Sequence, residues 1–431
     1  MNGTNTAVVA LGKIGLPLAV QFAQKRPLVF GADVDQEVVT LVNNGVEPFP
    51  GEFGLQDALC AVVQDGRLTA TTDTIAAVRQ SQVVVVVVPL FVDAKGTPDF
   101  RSMDAATEAI GRGLQPGTLV SFETTLPVGT TRQRFAPLLE KHSGLAAGRD
   151  FHLAFSPERV LTGRVFADLR RYPKLVGGLT AECGLAAKKF YESVLDFDER
   201  TDLPQANGVW DLGSCEASEM AKLAETTYRD VNIGLANQFA RFASKTGIDI
   251  FKVIEACNSQ PYSHIHQPGI AVGGHCIPIY PQMYLWNDPE ATVVRAAREA
   301  NWAMPAHSVD VLERAHGSVR GQRVVVLGAS YRGGVKETAF SGVFAVCEEL
   351  HKRGASFTVH DPMYSPDELR QLDLEPFSRG EKADAAILQA DHSEYSTWGP
   401  DDIVGVRTVL NGRRLSLPKF EQACRVVGVG D

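Results

Sequence analysis

The stretch from Thr6 to Asp33 restricts the fold of this chain more than any other. An apolar run, Thr6-Ala7-Val8-Val9-Ala10-Leu11, reads as a strand and passes directly into Gly12-Lys13-Ile14-Gly15-Leu16-Pro17-Leu18-Ala19, a tight turn that opens a helix. A second strand, Leu28 to Ala32, ends on Asp33. Strand, turn, helix, strand and terminal acid, in that order, make the βαβ unit of an open parallel sheet. The glycine turn at its carboxyl edge is where such sheets take a dinucleotide. Gly12 lets the backbone approach a pyrophosphate, and Gly15 lets the helix pack on the strand. The helix N-terminus, with Lys13 and Ile14 in its entry turn, offers N–H groups and a partial positive charge to phosphate. Asp33 lies 18 residues after Gly15 (33 − 15), where a carboxylate meets a ribose hydroxyl and repels a 2′-phosphate. The expected cofactor is therefore NAD rather than NADP. One departure is visible: Ala10 stands where the first glycine of the usual G-x-G-x-x-G belongs.

At 431 residues the chain exceeds what one core supports, so two or three domains are expected. Six consecutive valines, Val83 to Val88, end at Pro89 and read as a central strand buried on both faces. The run is far too short to span a bilayer. Further strands fit at Thr118–Glu123 and Phe151–Phe155. The loops at the carboxyl edge are Pro89-Leu90-Phe91-Val92, Thr124-Thr125-Leu126-Pro127-Val128-Gly129 and Ser156-Pro157-Glu158-Arg159-Val160-Leu161. A carboxylate such as Glu158 at a strand end can serve as a general base, or it can be a plain surface glutamate.

Glu216 to Ser244 has helical periodicity, with Met220, Leu223, Thr227, Val231, Leu235, Phe239 and Phe242 at three- and four-residue steps. Such a stripe suits a spine between domains and a dimer surface. Lys222 and Thr226 lie one turn apart on one side. By helical position alone, Lys222 reads as a solvated lysine. Helical segments follow from about Ala291 to Arg314, with a break at Pro305. A second α/β pattern then begins. Strand Val324–Leu327 meets Gly328-Ala329-Ser330-Tyr331-Arg332, a helix runs from Gly342 to Arg353, and strand Ser356–His360 ends at Asp361. This unit lacks the glycine fingerprint and suits a second nucleotide or a nucleotide-bearing substrate. The expected architecture is α/β, with two Rossmann-like doubly wound domains joined by a central helical domain. The expected boundaries are 1–205, 206–312 and 313–431.

The pentapeptide Gly273-Gly274-His275-Cys276-Ile277 places a cysteine on a glycine turn. Two glycines allow close approach of backbone to a ligand, and a thiolate there is a strong nucleophile. The alternative is a small cysteine packed on a turn. The net charge of −9, with no lysine–arginine block, argues against a nucleic-acid surface. The seven cysteines are scattered and show no C-x-x-C spacing, which fits reduced thiols in a cytoplasm and neither a disulfide framework nor a zinc site. No basic-then-apolar signal pattern opens the chain, and no membrane partner is expected.

Taken together these residues resemble the UDP-glucose/GDP-mannose dehydrogenase family over nearly the whole chain, in order. The resemblance rests on the fingerprint turn, Glu123-Thr124-Thr125-Leu126-Pro127-Val128-Gly129-Thr130-Thr131, and Ser156-Pro157-Glu158-Arg159-Val160. It continues through Glu219-Met220-Ala221-Lys222-Leu223-Ala224-Glu225, Asp230-Val231-Asn232-Ile233, the Gly-Gly-His-Cys loop, and Asn301-Trp302-Ala303-Met304-Pro305. It implies a cytoplasmic, homo-oligomeric enzyme, a dimer or larger, that oxidises the C6 alcohol of a nucleotide sugar to an acid with two NAD. The products would feed surface polysaccharide. The resemblance makes Cys276 the nucleophile that forms a thiohemiacetal and then a thioester. Lys222 becomes the ammonium that stabilises oxyanion charge, Glu158 the general base, and Thr125 the threonine beside the catalytic water. Glu158, Arg159, Lys222, Gly273, Gly274, Tyr331 and Arg332 are the expected substrate contacts, and Gly12, Lys13, Ile14, Gly15, Asp33, Pro89 and Thr125 the cofactor contacts.

The Ser-Pro-Glu-Arg-Val run resembles the branch acting on UDP-N-acetylhexosamines, UDP-N-acetylmannosamine before UDP-N-acetylglucosamine. The UDP-glucose branch usually carries Asn-Pro-Glu-Phe-Leu there. Three positions depart from the family pattern. Thr226 replaces an asparagine, Tyr280 replaces the aspartate of H-C-x-x-x-D, and Ala339 replaces an arginine. A phenol, which ordinarily titrates near about 10, is a poor base, which leaves water activation to Glu158. Alternatives are an enzyme that stops at the aldehyde, a UDP-glucose dehydrogenase, a protein that only binds nucleotide sugar, and a relative acting on 3-hydroxy acids.

Overall fold

The computed structural model describes residues 4–93 and 96–431. The chain divides into two compact units, residues 1–224 and 225–431. The first contains strands β1 (Thr6–Val9), β2 (Val29–Ala32), β3 (Leu68–Thr71), β4 (Val83–Val86), β5 (Phe91–Val92), β6 (Pro98–Asp99), β7 (Leu119–Phe122), β8 (His152–Phe155), β9 (Lys174–Gly178) and β10 (Val209–Asp211). Eight of them form one sheet in the order β10-β9-β8-β7-β4-β1-β2-β3. β5 and β6 make a separate antiparallel pair. Pairing in the large sheet is parallel throughout except between β8 and β9, which run antiparallel. The valines of β4 lie between β1 and β7 and are buried, as a continuous β-branched run requires. The strand stops at Val86 rather than at Val88. The carbonyl of Val88 is taken out of the ladder by the hydroxyl of Thr124, which donates to it at 2.6 Å.

The βα turn after β1 forms where expected. The helix Gly15–Ala23 packs so closely that a Cβ on Gly15 would lie 1.9 Å from the carbonyl oxygen of Ala10. Ala10 itself has φ +76°, the left-handed region that a glycine occupies without strain. It is held there because its N–H donates to the carbonyl of Ala32 at 2.8 Å while the next N–H, on Leu11, donates to Asp33 Oδ2 at 2.7 Å. A left-handed alanine costs about 1–2 kcal/mol, and glycine at the same place costs roughly 0.5–1 kcal/mol of unfolded-state entropy. Ala10→Gly should therefore stabilise the protein slightly and raise Tm by about 1–2 °C. A fall in Tm on thermal melting would show that the methyl group packs better than it strains.

The second unit carries β11 (Arg323–Leu327), β12 (Ser356–His360), β13 (Ala385–Leu388), β14 (Thr408–Asn411) and β15 (Arg425–Gly428). They form an all-parallel sheet ordered β12-β11-β13-β14-β15. Buried residues cover both faces: Val324, Val326 and Ile387 pack on one cluster, and Val325, Leu388 and Trp398 on another. Residues 328–341 intervene before the helix Gly342–Lys352, against residues 10–14 in the first unit, so no glycine turn meets the helix directly. Asp361 nevertheless repeats what Asp33 does, accepting from the N–H groups of Ala329 and Ser330, each at 2.9 Å.

The long helix, Cys215–Thr246, begins one residue before and ends two residues after the stretch its periodicity suggested. Its apolar stripe divides. Leu223 and Thr227 are buried, whereas Met220, Leu235, Phe239 and Phe242 are exposed. The side turned inward in the second unit is instead Ala236, Ala240 and Ala243, whose small side chains admit the helix Ile250–Cys257 through Ile250, Phe251 and Ile254. The later helical stretch breaks at Ala303, between Thr292–Trp302 and Met304–His316, and not at Pro305. A proline in the first helical turn lacks only an N–H that would be unpaired there, so Pro305 starts the second helix and does not end the first. Among the described residues no helix is long and apolar enough to cross a membrane.

Candidate active site

At the carboxyl edge of the first sheet, the turn after β1 fits a dinucleotide. A Cβ on Gly12 would meet no atom within 4 Å, so this backbone is open to a ligand. The N-cap of the following helix, Ile14, makes no side-chain cap hydrogen bond, which leaves the helix N-terminus suited to phosphate. Lys13 is exposed beside it, as is Pro89 beyond β4, while Thr125, beyond β7, is buried. Asp33 spends one carboxylate oxygen on Leu11 and the other on the N–H of Asp35 at 3.0 Å. A carboxylate offers about four acceptor directions, so hydrogen bonds to ribose remain compatible with both.

Glu158 follows β8 and is no plain surface glutamate. Its Oε1 accepts from the N–H of Arg159 at 2.6 Å, and its Oε2 pairs with Lys174 Nζ at 3.1 Å. The same ammonium reaches Glu123 Oε2 at 2.6 Å. Lys174 opens β9, and because β9 runs against β8 its first residue arrives at the edge where β8 ends. The Tyr191 hydroxyl donates to Glu123 Oε1 at 2.6 Å and lies 2.8 Å from Ser121 Oγ. Arg159 donates through Nη1 to the carbonyl of Pro173 at 3.2 Å. Burial raises the Glu158 carboxyl, but the Lys174 ammonium and the Arg159 N–H outweigh it and hold the group below the usual carboxylate range. On Glu123 burial wins against Lys174 and pushes the carboxyl up to about 7. The sequence singled out neither Lys174 nor Glu123 for a role. A lysine heading the apolar run Lys174-Leu175-Val176-Gly177-Gly178 was the available signal, since an unpaired ammonium there would be costly to bury.

The long helix enters this edge through Glu219, whose buried carboxylate accepts from Gly129 N at 2.6 Å, Thr131 N at 2.9 Å and Thr131 Oγ1 at 2.7 Å. Burial pushes this carboxyl up to about 7 against those three donors. The contact fixes the turn that follows Thr125 to the first turns of the helix. Lys222, one turn further, is only 6% exposed, and Thr226 is fully buried. Lys222 is thus not the solvated lysine that its helical position alone suggested. Anchoring Glu219 to the Gly129–Thr131 turn rotates this face of the helix inward.

In the second unit the Gly-Gly-His-Cys loop lies on the segment that follows β11. Gly274 N donates to the carbonyl of Ala339 at 2.9 Å, with φ +88°. A Cβ on Gly273 would lie 2.5 Å from Tyr331 Cβ and 2.9 Å from the carbonyl oxygen of Phe340. The two glycines are therefore required by close packing against Tyr331, whatever a ligand adds. Arg332 is exposed, and its Nε donates to the Tyr331 hydroxyl at 3.1 Å. His275 Nε2 stands 3.3 Å from Glu337 Oε2. Cys276 is half-buried, and its carbonyl accepts from Tyr280 N at 3.0 Å, which starts the helix Tyr280–Asn287 and puts the cysteine and the tyrosine one turn apart.

Behind the loop, Gly269 N donates to Asn237 Oδ1 at 3.0 Å, Asn237 Nδ2 to Asn301 Oδ1 at 2.8 Å, and Asn301 Nδ2 to Asp230 Oδ1 at 2.8 Å. Arg298 closes the chain on Asp230 at 2.6 Å. The Asp230 and Asn301 motifs thus support the approach to the cysteine loop.

A two-glycine βα turn with an acid-ended second strand, on a mostly parallel sheet covered by helices, defines a dinucleotide-binding α/β protein with an acid placed for NAD. Residues 4–195 match the NAD binding domain of the UDP-glucose/GDP-mannose dehydrogenase family, residues 216–303 its central domain, and residues 325–414 its UDP binding domain. The chain belongs to this family. It is 33% identical over 438 residues to the UDP-N-acetyl-D-mannosamine dehydrogenase of Pyrococcus horikoshii, covering 99% of each chain. It is 30% identical to the UDP-N-acetyl-D-mannosamine dehydrogenase of Campylobacter jejuni, over 94% of this chain and 99% of that one. The solved structure of the Pyrococcus horikoshii UDP-D-ManNAc dehydrogenase superposes with a TM-score of 0.86 at 31% identity, covering 99% of each chain.

Proposed function

We propose that this protein is an NAD-dependent nucleotide-sugar 6-dehydrogenase that converts the C6 alcohol of UDP-N-acetylmannosamine to the uronic acid. The observation that carries this is the full-length similarity to enzymes named for that sugar, joined to retention of Cys276, Lys222, Glu158 and Thr125. NAD, when bound, accepts the hydride in each of the two oxidations. After the alcohol has lost a hydride and a proton, the Cys276 thiol adds to the aldehyde as a thiohemiacetal. Loss of the second hydride and proton leaves a thioester. Water attacks the acyl carbon, the sulfur leaves, and the acid is released. Lys222 is assigned to hold oxyanion charge, Glu158 to take the proton of water, and Thr125 to orient that water, with Thr226 and Tyr280 as hydrogen-bonding groups. The fingerprint turn, Asp33 and Pro89 are assigned to NAD. Arg159, Gly273, Gly274, Tyr331 and Arg332 are assigned to the nucleotide sugar. Residues 1–205, 206–312 and 313–431 are assigned as cofactor, central and nucleotide-sugar domains.

Tyr280 in place of the family's aspartate favours a second form of the reaction, in which hydrolysis is slow or the aldehyde escapes. Counting NADH formed per sugar separates the two. Two per UDP-N-acetylmannosamine supports the full oxidation and one supports the truncated one. No NADH with a panel of UDP- and GDP-sugars would favour a protein that only binds them. The exposed Leu235, Phe239 and Phe242 support a homodimer through the long helix, which light scattering on the purified protein would test. The free cysteines support a cytoplasmic setting.

A further inference from the structure

Glu158, Lys174, Glu123, Tyr191 and Ser121 form one continuous hydrogen-bonded chain inside the first unit. Its charge is unbalanced. One ammonium lies between two carboxyl groups, with side-chain exposures of 13% for Glu158, 5% for Lys174 and 0% for Glu123. Two carboxylates and one ammonium would leave a net negative charge in a place with little water, which is costly. Taking up one proton removes that charge, so the doubly ionised group is a ready proton acceptor, and the two carboxyls titrate as a unit. The two ends differ. Glu158 borders a small pocket whose other charged or titratable lining groups are Arg159, Asp168, Tyr172 and Lys174. Glu123 is sealed, and among the described residues the titratable groups acting on it are Lys174 from β9, Tyr191 from the helix Ala181–Val194 and Glu158 from the turn after β8.

We propose that Lys174 and Glu123 form a proton-holding relay behind Glu158, in which Lys174 keeps Glu158 in its basic form and Glu123 takes the proton that Glu158 collects. This rests on Glu158 acting as the base for water. As the oxygen of water bonds to the acyl carbon, its proton passes to Glu158. Lys174 gives one of its protons to Glu123 Oε2 and takes the new proton from Glu158 Oε2. Glu158 is again a carboxylate, Lys174 again an ammonium, and Glu123 is a carboxylic acid. The proton leaves by the reverse route once the product has gone. The Tyr191 hydroxyl, donating to Oε1, leaves Oε2 to Lys174. A Glu123 carboxyl pushed to about 7 by burial exchanges its proton near neutrality, as a holder must.

The test is the pH dependence of acid formation in a single turnover. Glu123→Gln removes a negative neighbour and keeps the volume, so the acidic limb should move down by about 0.5–1 pH unit and the plateau should fall. Lys174→Met removes the cation, so the limb should move up by about 1 pH unit or more. Opposite shifts are the signature, because loss of packing alone would not separate their signs. Should Lys174→Met melt too low to assay, Lys174→Arg, which keeps the charge, should hold the wild-type limb while Glu123→Gln still moves it. Infrared difference spectra of the ligand-free protein supply a readout without turnover. A protonated-carboxyl band should titrate near neutral pH and vanish in Glu123→Gln. Parallel shifts, no shift, or a band that survives Glu123→Gln would overturn the relay. Absence of acid formation in the wild type would instead overturn the role of Glu158 in thioester hydrolysis, and the infrared band would still decide whether Glu123 holds an exchangeable proton.

Discussion

Replacing Cys276 with serine is expected to lower acid formation by about 10³-fold or more while NAD still binds. A serine hydroxyl is smaller, far less acidic and a poorer leaving group than a thiol, so neither addition to the aldehyde nor release of an acyl group from it proceeds at a useful rate. The substitution is sterically mild. Cys276 is half-buried, and its structural contribution, the carbonyl that accepts from Tyr280 N at 3.0 Å, belongs to the backbone and survives. Cys276 is not among the residues assigned to the cofactor, so a titration of NAD binding should be unchanged. Turnover at the wild-type rate would rule out covalent catalysis through this residue.

Lys222→Met should lower kcat by about 10²–10³-fold, the effect of losing a preorganised charge aimed at a developing oxyanion. Methionine replaces the stem and removes only the ammonium, so packing on this face of the long helix is kept. The position is suited to the role because Lys222 is 6% exposed, where a charge is weakly screened and interacts more strongly than in water. An effect confined to KM would mean that Lys222 binds substrate and transition state equally. A kcat within about threefold of wild type, with a normal melting curve, would remove Lys222 from the chemistry.

The parts of this protein that depend on local pattern could be read directly. β1, the helix Gly15–Ala23 and β2 follow from an apolar run, two glycines and an acid, and β4 from a run of valines. Each of these signals lies within a few residues of what it specifies. The exposed half of the long-helix stripe could not be read that way. Period 3.6 marks a face as apolar, but it does not say whether the same chain covers it, and here Ala236, Ala240 and Ala243 take the inner side while Phe239 and Phe242 remain outside. The glycines beside Cys276 were legible as a tight place, but their neighbour, Tyr331, lies many residues away in sequence.

The sequence by itself determined two parallel-sheet units, the dinucleotide turn, the acid at its ribose position and the set of groups able to do oxidation chemistry, because these are encoded by residue type at short spacing. Only the tertiary structure decided the surroundings that tune those groups. The reversed direction of β9 brings Lys174 to the end of β8 and places it between Glu123 and Glu158. Glu219 reaches from the long helix to the Gly129–Thr131 turn, and Lys222 is thereby turned inward. Charge and burial act through space over a few ångströms, and the partners concerned are separated by 16 residues in one pair, Lys174 and Glu158, and by 90 in another, Gly129 and Glu219.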